Sequence, residues 1–410
     1  MKTSLPLLLL ALLTPGLAAE APAARTFDLS TEAAFTAERG HGFDIGTTPN
    51  AGGKPFYFSV AVPEGNWRVT VTFGGGAAAS DNTVKAESRR LMVESLKTAL
   101  GETAARTFLV NVRNSTVPPP EKNAPGGSAV VLNDREQGSL TWDDKLTLEF
   151  NGPAPQVRSI TVEPAGGPTI YLTGDSTVTD QRFEPGASWG QMLPRFFRPE
   201  VAVANHAESG ETLKSFISGL RLAKVLSTLK AGDYLFIQFG HNDSKKQWPQ
   251  TYVEAATTYR AYLRTFIAEA RLRGATPVLV TPPQRRNFGP DGKIRNTHGD
   301  YPAAVRAVAA EEKVTLIDLE VASRAFYEAL GAEKSPLAFS NGGKDATHHD
   351  NYGAYELAKV VVQGIRDAHL SLEPFITDDF AGFDPTKPDP PDAFSLAASP
   401  ARSDLAPRGN

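Results

Sequence analysis

The 410 residues contain no cysteine. That excludes disulfides and thiolate metal sites, so an exported fold must be held by core packing. It also excludes a lipidated cysteine as anchor. Charge of one sign is lacking as well: 42 Lys and Arg face 46 Asp and Glu, for a formal net charge of −4. Neither nucleic acid nor an anionic membrane is expected as the main partner of such a chain. The apolar run Leu5–Leu13 is too short to span a bilayer. No internal repeat is evident, and no His-Glu-x-x-His spacing marks a zinc hydrolase. What remains, 41% hydrophobic and 21% charged residues, is the composition of a soluble globular protein. The length exceeds one ordinary core, so two domains are expected.

The first residues follow the pattern of a secretory signal peptide: Lys2, the apolar run, helix-breaking Pro15-Gly16, then small Ala18-Ala19. A leader over 1–19, cut after Ala18 or Ala19, makes the mature chain periplasmic or extracellular. From Thr26 to Pro164 the hydrophobic period is two. Trp67, Val69, Val71 and Phe73 alternate with Arg68, Thr70 and Thr72, and Phe108, Val110 and Val112 with Asn111 and Arg113. Leu146, Leu148 and Phe150 repeat the pattern. Such strands, separated by Gly, Pro and Asn turns, predict an antiparallel β-sandwich over 25–164. Pro118 to Gly127 is a surface loop within it. Of the aromatics able to stack on a sugar, Trp67 stands on the apolar stripe and is expected in the core, and Trp142 is a second candidate.

After the linker Pro164–Pro168 the period changes. Thr169–Leu172, Tyr234–Phe239, Pro277–Thr281 and Val314–Asp318 are near-continuous apolar runs, as strands buried on both faces require. Between them lie helical patterns, Leu213-Phe216-Ile217-Leu220 and Tyr252 to Ile267. Alternating strands and helices predict an α/β domain with a doubly wound parallel sheet over 168–375, followed by an irregular tail over 376–410. The short, proline-containing linker predicts that the sandwich packs on this domain.

Four stretches fall at ends where ligands bind such sheets. Ser176, in Gly174-Asp175-Ser176-Thr177, needs a base to become a good nucleophile. Gly210, in Glu208-Ser209-Gly210-Glu211, lets a backbone N–H approach a ligand at a helix start. Asn242, in Gly240-His241-Asn242-Asp243, offers an amide to an oxyanion. Asp345 and His348 stand at the Asp-x-x-His spacing by which a carboxylate orients an imidazole. Each piece alone is weak, since such residues often serve turns and caps. Their order after successive strands carries the argument.

Together these blocks resemble the SGNH (GDSL) hydrolase superfamily. The region from Pro168 to His369 is similar to rhamnogalacturonan acetylesterases in a two-domain bacterial form. Ala187-Ser188-Trp189-Gly190, Phe239–Asp243, Tyr352–Glu356 and, in the sandwich, Lys85–Leu91 also carry the likeness. The resemblance implies a galactose-binding-like sandwich, a flavodoxin-like sheet and an exported carboxylic ester hydrolase acting on an acetylated polysaccharide or oligosaccharide, removing the acetyl groups of pectic rhamnogalacturonan. It implies Ser176 as nucleophile, His348 as general base and acid, and Asp345 as its orienting carboxylate. The backbone N–H groups of Ser176 and Gly210 and the Asn242 side chain would form the oxyanion hole, with no metal or other cofactor. The first block has Thr177 where the wider superfamily often has leucine. His349 abuts His348; the spacing selects His348, with His349 as fallback. Acetylated xylan, another acetylated glycan or a small ester is the alternative substrate. Two other classes compete: a metal-dependent hydrolase using His241, Asp243, His298, Asp345, His348 and His349, and a non-catalytic glycan-binding protein.

Overall fold

The structure, a computed structural model, describes residues 23–49, 53–119, 126–403 and 405. The leader expected over 1–19 lies outside the described residues, as does the middle of the loop from Pro118 to Gly127. The first strands are β1 (Arg25–Asp28), β2 (His41–Asp44), β3 (Phe56–Ala61), β4 (Gly65–Gly74) and β5 (Ser80–Ala86). β6 (Arg90–Thr98), β7 (Thr103–Val112), β8 (Lys145–Ala154) and β9 (Val157–Pro164) complete the set. They form two antiparallel sheets, ordered β1-β9-β4-β7 and β2-β3-β8-β5-β6. Val69, Val71 and Phe73 of one sheet meet Phe58, Val60, Leu146 and Leu148 of the other in a shared core, while Arg68, Thr70 and Thr72 point away from it. Two-residue alternation on a pleated strand forces that division. Trp67 is 4% exposed, and its indole N–H donates to the Pro63 carbonyl at 3.0 Å.

The second region contains β10 (Thr169–Gly174), α1 (Trp189–Met192), β11 (Ala202–Asn205), α2 (Leu213–Ser218), α3 (Arg221–Thr228) and β12 (Tyr234–Gln238). It continues with α4 (Arg260–Leu272), β13 (Thr276–Val280), α5 (Tyr301–Glu312), β14 (Thr315–Ile317), α6 (Leu319–Lys334) and α7 (Asn351–Asp367). All strand pairs are parallel, in the order β11-β10-β12-β13-β14. This is the flavodoxin-like winding: the chain leaves β10 first to one side and then to the other, opening a crevice at the carboxyl ends of β10 and its neighbours. Ile170, Leu172 and Phe236 pack towards α1, α6 and α7; Tyr171, Leu235 and Ile237 pack towards α2 to α5. Burial on both faces explains the continuous apolar runs.

Two helical patterns have bounds that differ from the sequence expectation. The Leu213–Leu220 pattern breaks after Ser218, because Gly219 closes the turn and Leu220 takes a left-handed φ of 61°. The pattern from Tyr252 becomes helical only at Ala255, since the Tyr252 and Val253 N–H groups donate to the Trp248 and Asp243 carbonyls at 2.8 and 3.1 Å.

The sandwich packs on the α/β region through the segment Lys85–Leu91. Leu91 is part of the α1–α6–α7 core. Arg90 Nε donates to Asp180 Oδ2 at 2.6 Å with both side chains buried. Arg89 reaches the carbonyls of Gln181 and Gly186 at 3.0 and 2.8 Å and pairs with Glu184 at 2.6 Å. Among its described residues the tail has one short 3₁₀ turn, Pro391–Ala393. It returns to the sandwich, where Lys85 Nζ donates to Ala397 O and Ser399 Oγ at 2.7 and 2.8 Å.

Candidate active site

Gly174 ends β10 opposite Gln238 of β12. A Cβ there would lie 2.7 Å from the Gln238 carbonyl oxygen and 2.6 Å from Val178 Cγ2, so only glycine lets the chain turn this close to the neighbouring strand. Asp175 shapes the turn. Its Oδ1 accepts from the Thr177 N–H at 3.0 Å and lies 2.8 Å from Thr177 Oγ1. The same hydroxyl stands 3.0 Å from Gln238 Oε1, so Thr177 ties the turn to β12, which leucine would not do. Asp175 Oδ2 meets His241 Nδ1 at 3.1 Å. Burial works to raise the Asp175 carboxyl pKa, but His241 and the Thr177 bonds hold it well below the carboxylate range.

Ser176, 3% exposed, sits on this turn with its carbonyl fixed by Gln181 Nε2 at 2.7 Å. His348 Nε2 lies 2.8 Å from Ser176 Oγ, and His348 Nδ1 lies 2.8 Å from Asp345 Oδ2. The other Asp345 oxygen accepts from the backbone N–H groups of Thr347 and His348 at 2.7 and 3.0 Å. Burial pushes the Asp345 pKa up, but the His348 and backbone bonds outweigh it and lower the pKa to about 2. The carboxylate is therefore charged at neutral pH and accepts from Nδ1–H, which leaves Nε2 as an acceptor facing the serine hydroxyl.

Gly210, between β11 and α2, has a φ of 83°, a backbone conformation that favours glycine. Among the described residues neither the Ser176 nor the Gly210 N–H donates to a protein acceptor. The Asn242 amide is oriented from both ends: Nδ2 donates to Glu211 O at 3.1 Å, and Lys245 Nζ donates to Oδ1 at 3.1 Å. An amide nitrogen has two hydrogens, so one remains for a ligand.

The other histidines and acids of this region have separate tasks. His349 is fully buried and turned away from Ser176, with Nε2 2.6 Å from the Tyr327 hydroxyl. Burial, with the neighbouring His348, lowers its pKa to about 3. His298 Nε2 bonds the Pro283 carbonyl at 2.8 Å and stands edge-on to His241. Asp243 Oδ1 accepts from the Leu213 N–H at 3.0 Å, and burial raises its pKa to about 8. Among the described residues no three of His, Cys, Asp and Glu are arranged to hold a metal ion. Trp142 is half-buried with one ring face covered by the Arg113 guanidinium and its N–H given to Glu136 Oε1 at 2.9 Å.

The sequence blocks contain Asp175 and Thr177 without a task and His241 only as a candidate metal ligand, and Gln181 lies outside them. The Asp175–His241 and Thr177–Gln238 contacts join ends of different strands, a pairing that no spacing along the chain displays.

Residues 172–353 match the model of the GDSL-like lipase/acylhydrolase family. The chain is 40% identical over 217 residues to the rhamnogalacturonan acetylesterase RhgT of Bacillus subtilis, covering 50% of this chain and 92% of that protein. It is 42% identical over 208 residues to the probable rhamnogalacturonan acetylesterase YesY of the same organism, covering 50% of this chain and 94% of that protein. The crystal structure of the YxiM protein of Bacillus subtilis aligns with a TM-score of 0.49 and 25% identity, over 85% of this chain and all of that one.

Proposed function

The chain belongs to the GDSL-like lipase/acylhydrolase family and is a carboxylic ester hydrolase; we propose that it removes acetyl groups from rhamnogalacturonan by Ser-His-Asp acyl transfer. The observation that carries the mechanism is the unbroken hydrogen-bond chain from Ser176 through His348 to Asp345. The substrate reading is supported by the acetylesterase relatives, which make a carbohydrate ester the substrate class.

In the first half-reaction Ser176 Oγ attacks the acetyl carbonyl and gives its proton to His348 Nε2. Asp345 holds the imidazole in the tautomer that can accept it and stabilises the cation that forms. The carbonyl oxygen becomes an oxyanion, received by the N–H groups of Ser176 and Gly210 and the free Asn242 amide hydrogen. The tetrahedral centre collapses, and the sugar oxygen leaves with the proton from His348. In the second half-reaction His348 takes a proton from water, which attacks the acetyl-serine. Acetate departs and the serine recovers its proton.

Export belongs to the same reading. Lys2, Leu5–Leu13 and Ala18-Ala19 supply the charge, apolar stretch and small residues of a cleavable leader, and N-terminal sequencing of protein recovered outside the cytoplasm should begin after Ala18 or Ala19. Among the described residues no helix is long and apolar enough to cross a membrane. The substrate is tested by acetate release from acetylated rhamnogalacturonan with acetylated xylan alongside. Release from the pectic polymer is expected; release from xylan alone would replace the substrate and keep the mechanism.

A further inference from the structure

A groove of about 800 Å³ opens at the Gly210 side of the site, within the roughly 300–1,000 Å³ of small-ligand sites. One wall holds Ser209 and Gly210, a second Trp248 and Gln250 from the loop after β12, and a third comes from the sandwich, at Val131 to Asp134. The sandwich wall is fixed. Val131 N–H donates to Gly219 O at 3.0 Å, and the buried Arg221 guanidinium pairs with Glu136 at 2.9 Å. The break between α2 and α3 is what allows both bonds. Val131 itself is 64% exposed.

Two features of the groove point to a ligand. Ser209 is 1% exposed, and its Oγ has no hydrogen-bond partner among the described residues. Ser209 also lines the groove, and because a buried hydroxyl left unpaired is costly, a ligand's polar group reaching it would supply the missing hydrogen bond. Across from it stands the half-buried Trp248 indole, with Lys245 Nζ 4.8 Å from its ring centroid. The same ammonium orients Asn242, which connects this groove to the oxyanion side of Ser176. An aromatic face with scattered hydroxyl and amide groups suits the apolar face and hydroxyl edge of a pyranose. Asp134, exposed, lines the groove and its charge favours a neutral sugar over a uronate; Glu211, which also lines it, is paired with Arg221 at 3.3 Å.

We propose that this groove is a subsite for a neutral sugar residue flanking the acetylated one, so that the sandwich domain supplies one wall of the substrate-binding surface. The proposal rests on the carbohydrate-esterase reading above. Because the wall is held by buried bonds before substrate arrives, little ordering cost is added on binding.

The test is steady-state kinetics of the full chain carrying Val131→Arg, which fills the groove from the sandwich side, or Trp248→Ala, which removes the stacking face. Each should lower kcat/KM on the acetylated polysaccharide by about tenfold relative to kcat/KM on 4-nitrophenyl acetate, with the loss in KM. If Val131→Arg lowers the melting temperature, Asp134→Arg, which fills the groove from an exposed position of the same wall, takes its place. Equal changes on polymer and aryl ester, or no change on either, would overturn the subsite and leave the esterase reading intact. Failure of the unmodified protein to release acetate from any acetylated polysaccharide would overturn both.

Discussion

Replacing Asp345 by asparagine separates the orienting carboxylate from everything else in the site. The amide oxygen can keep the bonds that Asp345 Oδ1 accepts from the Thr347 and His348 N–H groups at 2.7 and 3.0 Å, so the loop should hold its shape. The amide nitrogen then occupies the place of Oδ2, 2.8 Å from His348 Nδ1. It can only donate, so Nδ1 must accept and the proton moves to Nε2. That nitrogen stands 2.8 Å from Ser176 Oγ, and once protonated it cannot take the serine proton. The same change in a serine protease, where only the tautomer is altered, lowers kcat about 10⁴-fold, equivalent to roughly 5 kcal/mol in the barrier. We expect a loss of that order in acetate release by Asp345→Asn, with a melting temperature close to that of the unmodified protein. More than a tenth of the activity surviving in a folded variant would refute the role given to Asp345.

Three further outcomes follow from the packing. Asp243 has its pKa raised to about 8 by burial; relative to its unfolded value near 4, its contribution to stability is full below that pH and is lost as pH rises towards 8. Asp243→Asn should therefore remove a downward component from the melting temperature between pH 5 and 8, and identical slopes for both proteins would contradict this. Arg90→Met leaves Asp180 buried and short of its charge partner, which should cost about 3–5 kcal/mol in denaturant unfolding; a loss below 1 kcal/mol would deny that this pair fastens the sandwich. Gly174→Ala forces a methyl group against the Gln238 carbonyl, and an expected cost of about 1–3 kcal/mol should come with a fall in kcat, because the turn bearing Ser176 must shift. Unchanged unfolding and turnover would count against the close approach.

Periodicity made both architectures legible. The alternation at Trp67–Phe73 follows from one buried face, and the unbroken runs at Thr169–Leu172 and Tyr234–Phe239 from two. Ser176, Gly210, Asn242, Asp345 and His348 could be singled out because they lie in turns that follow strands or precede helices, where the winding of the sheet brings chain ends together; the structure joins Ser176, His348 and Asp345 in one hydrogen-bond chain. Contacts made through space were not legible. The Asp175–His241 pair joins the ends of β10 and β12, and nothing in either segment names the other. Arg89 and Arg90 are buried ion-pair partners of Glu184 and Asp180, and nothing in the Lys85–Leu91 segment names either acid. The break at Gly219-Leu220 answers to the Arg221–Glu136 pair across the domain junction, which the apolar period of that helix cannot register.

The central claim is that Ser176, activated by His348, carries the acyl group. The most direct test is to mix the protein with excess 4-nitrophenyl acetate, quench in acid within the first turnover, and locate the label by peptide mass spectrometry. One acetyl group on Ser176, absent from Ser176→Ala and strongly reduced in His348→Ala, is the predicted result. Acetylation of another residue with Ser176 untouched, or full acetate release by Ser176→Ala, would contradict the account.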